Sequence, residues 1–553
     1  MRPLLTLLAC SCLLIAARTL AAPAPPSPTR GATRPGAPAP RSAARAPHTP
    51  DRRAELDRDT LAWVGERAIT ALDLVQRIEW MPWSEKRSAA NMDSAKVRAL
   101  RSLAAEALLA RESDRRAPNG SDAFVRAREA LRRALARDAL FNDLASSSPP
   151  PTPAEVTALA KRMHPEARAE ELPQWRRMAT DSLRALAGQQ RAAQFLVAHL
   201  AGKRVDVDSA AFMMLADTLR AYMVASQDAP AVGGGIVVPG EAPDMLLSAL
   251  APALDRTLAR LPDGPLTLGD ALEDMRFYLF VVPSLRPGRF AASLSAQLKL
   301  LVEGEIMGRE ALRRHMDERP EARHDLRLWS DAWRASSVLV TIPTGGPAGD
   351  DEAFRAFALA DPERARDACE VDLEEILCAT AGEAGEVRAA LDAGAPFDSL
   401  ARRHSRRVEW AGNGGRSGFF PVALHPELGF TALLSPVDVL FGPGHLPEGY
   451  SIYRVRGKRL APDSVQAREL LENARAIATG QRRSDVAARY IGSLASGVRI
   501  RFADAALARV DILPSNMVVR RTLGFGGGMT AAPSLPPLWE WTKYWNGGRP
   551  ALP

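Results

Sequence analysis

The sequence predicts an α+β fold that is mainly helical, with one compact mixed region late in the chain. Three observations carry this. Ala, Leu and Arg recur throughout while aromatic residues make up only 6%, a composition that favours helix over sheet. Apolar residues fall in stripes at helical spacing over most of the first half. Near residue 370 the pattern turns to alternation and glycine-rich loops. A length of 553 residues allows several domains, and 46% apolar with 25% charged residues excludes wholesale disorder and a polytopic membrane protein.

The elements follow in order. Residues 1–21 have the layout of a secretory signal: Arg2, an apolar run Leu4–Ala17 too short to span a bilayer, and small residues at Thr19 and Ala21. Leu7-Leu8-Ala9-Cys10 resembles a lipoprotein box, but the apolar run before it is short, which favours release over lipid anchoring. Residues 22–50 hold nine prolines and no acid, and read as an extended tether. Order is expected from about residue 51. Ala62–Ile69 reads as a short hairpin, and Thr70 with Asp73 as a capped helix start. A long helix carries Leu100, Leu103, Ala104, Ala107 and Leu108 on one stripe, another covers about 122–144, and Pro153 opens the next. Residues 174–200 are helical, with Trp175, Met178, Leu183, Leu186, Phe195 and Leu196 in the apolar positions.

Part of this pattern recurs. Ile69-Thr70-Ala71-Leu72-Asp73 is answered by Leu266-Thr267-Leu268-Gly269-Asp270. Leu103, Arg111, Glu112, Arg115 and Arg116 are answered by Leu301, Arg309, Glu310, Arg313 and Arg314. The expectation is a helical region over 51–345 with two related units, about 62–145 and 260–335. A mixed domain over 365–460 follows, and a C-terminal helix, strand and aromatic tail fill 461–553. The tail's Trp539, Trp541, Tyr544 and Trp545 are expected to dock as a buried anchor.

Loss of the leader lowers the net charge from +7 to +5, and no basic block with interleaved aromatics stands out, so nucleic acid is a poor partner. No stretch beyond the leader is apolar enough for a membrane helix. Cys369 and Cys378 remain after the leader; on one strand they would lie ~30 Å apart, far beyond disulfide reach. The histidines His404, His425 and His445 lack metal-like spacing, so neither metal nor cofactor is expected. Hydrolase, P-loop and zinc-protease signatures are missing.

Residues 370–457 carry four ordered motifs: Glu375-Ile376-Leu377; Gly394-Ala395-Pro396-Phe397 with Leu400-Ala401 and Ser405; Asn413-Gly414-Gly415-Arg416-Ser417-Gly418-Phe419-Phe420; and Phe441-Gly442-Pro443 with Gly449-Tyr450-Ser451-Ile452. Together they resemble a parvulin-type (PpiC-type) peptidyl-prolyl isomerase domain. The leader, hairpin, capped helix, long helix and late parvulin-like stretch together resemble SurA-type periplasmic chaperones. That resemblance implies a periplasmic folding factor whose helical part binds unfolded secreted or outer-membrane polypeptides, joined by a helix returning over 464–494.

Prolyl isomerisation breaks no covalent bond; the obstacle is amide resonance of ~18–20 kcal/mol. The resemblance implies a site of two facing histidines with an Asp or Cys. Here Glu375 stands for the first histidine, Ser451 for the second and Arg407 for the Asp or Cys. Phe420, Leu424 and Leu428 are the candidates for the apolar cup that holds a proline ring. Glu375 shares a strand face with Leu373 and Leu377, where a lone carboxylate is costly. A Glu375–Ser451 or Glu375–Arg407 contact is therefore expected, and the expected function is a holdase with a degenerate isomerase site, against the alternative of a working isomerase.

Overall fold

The computed structural model describes residues 50–81, 91–118, 120–166, 168, 171–226, 231–232, 235–343, 345–462, 465–513, 518–525 and 527–545. The leader expected at 1–21 and the tether at 22–50 lie outside them, apart from Pro50, which opens the helix Pro50–Arg58. Contacts divide the chain into a helical unit, residues 1–341 with 491–553, and a smaller unit, residues 342–490. Among the described residues no helix is long and apolar enough to cross a membrane.

The helical unit begins with a hairpin, Thr60–Val64 and Arg67–Thr70, turned at Gly65 in the left-handed region. Thr70 then caps the helix Ala71–Glu79: its side chain accepts from the Asp73 N–H, and Asp73 accepts from the Thr70 N–H at 2.9 Å. The helix is buried on every side, and Arg77 forks onto Glu106 at 2.5 and 2.7 Å. Three long helices follow: Met92–Arg116, Asp122–Ser146 and Leu172–Leu200, with Pro153–Met163 between the last two. A second hairpin, Thr257–Leu261 and Gly264–Thr267, precedes Leu268–Asp274, Pro287–Arg313 and Pro320–Leu339. The strand Ile500–Phe502 joins the first hairpin, and Asp206–Val207 joins the second, so each becomes a three-stranded antiparallel sheet. Trp541 is fully buried and donates its indole N–H to the Arg101 carbonyl at 3.0 Å, which ties the aromatic tail to the helix Met92–Arg116.

One expectation fails here. Met178 and Leu186 are not core residues; they are 42% and 50% exposed. Their helix buries a stripe of small residues instead, Ala179, Gly188 and Ala192. A Cβ at Gly188 would stand 2.6 Å from that of Ala145. The helix thus packs through close approach, with Met178 and Leu186 left facing outward, while Phe195 and Leu196 pack partly buried against Leu140 and Met307.

The smaller unit is an antiparallel four-stranded sheet with helices around it. The strand order is Arg416–Pro421, Cys369–Cys378, Gly449–Leu460, Leu440–Leu446. Cys369–Cys378 is an inner strand, buried at eight of ten positions, as its β-branched and apolar residues suit. The helices Ala381–Asp392, Phe397–His404 and Pro426–Leu434 connect the strands, and Val465–Ser496 leaves the sheet to return to the helical unit's sequence. Cys369 and Cys378 are free and buried at opposite ends of one strand.

Candidate functional site

The site grows from the register of two inner strands. Glu375 lies opposite Tyr453, and Leu377 opposite Ser451. Period-two alternation therefore puts Glu375 and Ser451 on one face as diagonal neighbours. The glycine loop closes over this point. Gly415 accepts the Glu375 N–H at 2.8 Å with φ of +88°, and any Cβ there would press on the Glu375 carbonyl. Ser405 accepts the Leu377 N–H at 3.1 Å and Ser417 accepts the Leu373 N–H at 2.8 Å. The motif residues thus supply the ladder bonds that the neighbouring strand, bulged between Arg416 and Phe419, leaves unmade.

Glu375 is fully buried, and it has two partners. The Ser451 hydroxyl donates to Oε1 at 2.7 Å and Arg407 Nε donates to Oε2 at 2.5 Å. Both expected contacts are present together. Arg407 is buried as well, and its guanidinium lies 4.8 Å from the Trp410 ring centre. Trp410, Phe420 and His425 form a three-ring cluster with centroids 5.2 to 5.5 Å apart. Burial and the nearby Arg407 charge hold the His425 pKa below the usual imidazole value. Trp410 and His425 had no motif signal in the sequence. An aromatic followed by a histidine fifteen residues on marks nothing until a loop folds back.

The three residues expected to line an apolar cup lie in different surroundings. Phe420 and Leu428 are buried in the core of the unit with Val371, Leu373 and Trp410. Leu424 is 64% exposed at the end of the short turn Val422–Leu424. The chain reverses there, so that Val422 points inward and Leu424 away. His404 bonds Glu383 at 3.2 Å, and His445 edges onto Tyr450.

Chemically, this is a buried ion network in which the carboxylate is satisfied on both oxygens. Ser451 spends its proton on Glu375, and each carboxylate oxygen is taken up by one donor, the hydroxyl or the guanidinium. Among the described residues no group of three or more His, Cys, Asp or Glu is placed to hold a metal.

A second polar cluster sits in the helical unit. Arg67, Asp73, Glu106 and Asp331 line a narrow cleft with Leu103 and Leu328. Buried His324 bonds Asp73 at 2.9 Å and Asp325 at 3.3 Å. Burial opposes charge on His324, but the two carboxylates outweigh it and push its pKa up to about 9. Sequence reasoning passed over His324, since its two partners lie one and 251 residues away.

Sheet order, glycine loop and strand pair define a parvulin-like α+β domain set into a largely helical chain. No family model matches the chain. The foldase protein PrsA 2 of Bacillus anthracis is 32% identical over 91 residues, 16% of this chain and 32% of that protein, so the match takes in about a third of the relative's length. A solved PpiC-type peptidyl-prolyl cis-trans isomerase domain is 27% identical, covering 18% of this chain and 98% of that one, with a TM-score of 0.16. The solved SurA-like chaperones PEB4 and Cj1289 of Campylobacter jejuni give 16% identity, 45% of this chain, 100% of theirs and a TM-score of 0.21. The likeness to PpiC-type, parvulin-like chaperones read from the motifs stands.

Proposed function

We propose that the protein is an extracytoplasmic folding factor that binds unfolded or extended polypeptides, secreted or outer-membrane clients among them, and shields them without catalysing prolyl isomerisation. The observation that carries this is the Glu375–Arg407–Ser451 network; by the resemblance, Glu375 and Ser451 stand for the family's two imidazoles and Arg407 for its Asp or Cys. Holding the planar amide twisted needs groups that bind the twisted form better than either planar form. A carboxylate sealed by a hydroxyl and a guanidinium offers no such preference. Met163, Met178, Leu186 and Val197 stand exposed on neighbouring helices of the helical unit, apolar surface of the kind a holdase uses. The signal-like leader and the names of the similar foldases and chaperones support a periplasmic setting.

The working-isomerase reading draws on one observation, the His425 ring lying against Phe420 and Trp410. A prolyl-peptide assay on the full chain separates the two. Uncatalysed exchange takes ~10–100 s. The holdase reading expects that rate unchanged, while aggregation of a reduced, unfolded model protein is suppressed near stoichiometric ratios. Isomerisation well above background, without protection from aggregation, sinks it.

A further inference from the structure

We infer that the helical unit is two copies of one module carried in tandem, and that the copies have exchanged their closing strands and third helices, so that each half of the chain is the other's folding partner. The two hairpins share one register at a shift of 197. Thr60 pairs with Thr70, Ala62 with Ile69 and Val64 with Arg67; Thr257 pairs with Thr267, Ala259 with Leu266 and Leu261 with Gly264. Each has its bulge between the first and third residue. Each is locked to its helix by the same backbone bond, Ala71 N–H to Asp59 O at 2.8 Å and Leu268 N–H to Arg256 O at 2.9 Å. Each helix is capped by Thr over Asp, Thr70–Asp73 and Thr267–Asp270. On the long helices that follow, Glu112 grips Arg116 and Glu310 grips Arg314 at matching positions.

The closing strands match each other too, at a shift of 295. Gly202-Lys203-Arg204-Val205-Asp206-Val207 corresponds to Gly497-Val498-Arg499-Ile500-Arg501-Phe502, and Ala210-Ala211 to Ala505-Ala506. Both strands follow a long helix and both meet a hairpin alike: Val207 faces Ala259 and Phe502 faces Ala62. The bonds beyond them agree, Asp208 N–H to Leu258 O at 2.9 Å and Ala503 N–H to Leu61 O at 2.8 Å.

Chain order then shows the exchange. A copy closed on itself would pair Val207 with Ala62. Instead the strand of the first copy closes the second hairpin, and the strand of the second copy closes the first. The third helices cross in the same sense. Asp331 of Pro320–Leu339 pairs with Arg67 of the first hairpin at 2.9 Å, and His324 of that helix with Asp73. Arg133, the matching position on Asp122–Ser146, pairs with Asp274 at 3.3 Å and Glu305 at 3.0 Å, both of the second copy. The parvulin-like domain occupies the interval between third helix and long helix in the second copy, 340–464. In the first copy that interval is only 147–171, below the size of a domain. Exchange of like elements is a low-cost way to join protomers, and carrying both copies on one chain makes that pairing intramolecular.

The test uses the full chain with a protease site placed at residues 227–230, cut after folding. The two fragments are expected to stay together as one particle in gel filtration and to melt as one. Separation into two folded monomers under native conditions overturns the inference. A cysteine pair checks the pairing directly. Val207→Cys with Ala259→Cys should oxidise and hold the cut fragments together on a non-reducing gel, whereas Val207→Cys with Ala62→Cys should stay reduced. The reverse pattern would mean that each copy closes on itself. Neither readout involves isomerase or chaperone activity, so the outcome is independent of the proposed function.

Discussion

Arg407→Ala is the sharpest test of the buried network. Removing the guanidinium leaves Glu375 fully buried with Ser451 as its remaining side-chain donor. Breaking a buried pair by removing one partner costs ~3–5 kcal/mol. At ~1.4 kcal/mol per factor of ten, the parvulin-like unit should then open some 10²- to several 10³-fold more often. Native-state hydrogen exchange reads this at the amides of Cys369–Cys378 and Gly449–Leu460, whose ladder the network spans. The paired replacement Glu375→Leu with Arg407→Met removes both charges at similar volume and should restore protection to within ~1 kcal/mol of the parent, or exceed it. A loss under ~1 kcal/mol for Arg407→Ala would refute the reasoning, because it would mean water reaches the carboxylate. So would equal damage from the single and paired changes.

Three further outcomes are expected. His324 has a pKa raised from 6.5 to about 9, so its charge stabilises the fold fully below pH 6.5 and that share is lost as pH rises through 9. Thermal melts between pH 6.5 and 9.5 should show a decline of up to ~3 kcal/mol, which His324→Gln flattens. Burial pushes the Cys369 thiol up to about 12 and, with help from the Glu383 charge, the Cys378 thiol up to about 11, so maleimide should label neither until the chain is denatured. Trp541→Ala removes a fully buried ring and its bond to the Arg101 carbonyl, and should cost ~3–5 kcal/mol in urea unfolding of the helical unit.

Much of the fold was legible because its signals are local. Thr70 three residues before Asp73, Pro153 in the first turn of its helix, and the stripe from Leu100 to Leu108 each act within a turn or two of helix, where neighbours in sequence are neighbours in space. The motifs at Gly414-Gly415, Ser405 and Ser417 were readable only through their resemblance to a known family; the backbone bonds that Gly415, Ser405 and Ser417 make to the inner strand reach across 28 to 44 residues. The Glu375 contacts followed from solvation, since a carboxylate on an apolar strand face must find partners. The outward setting of Leu424 was not legible, because apolar character does not say which way a turn points. Met178 and Leu186 failed because the stripe of Ala and Gly beside them allows closer approach than large side chains do.

The sequence alone therefore determined the element types, the helix caps, the parvulin-like motifs and the absence of the family's histidines from them, all properties of residue chemistry and short spacing. Tertiary structure decided what depends on long loops closing. It set Arg407 and Ser451 on the same carboxylate, gathered Trp410, Phe420 and His425, and sealed His324 between two aspartates. It also chose which strand closes which hairpin, because two nearly identical edges offer the same hydrogen bonds, and only the packing of the helices behind them tells the edges apart.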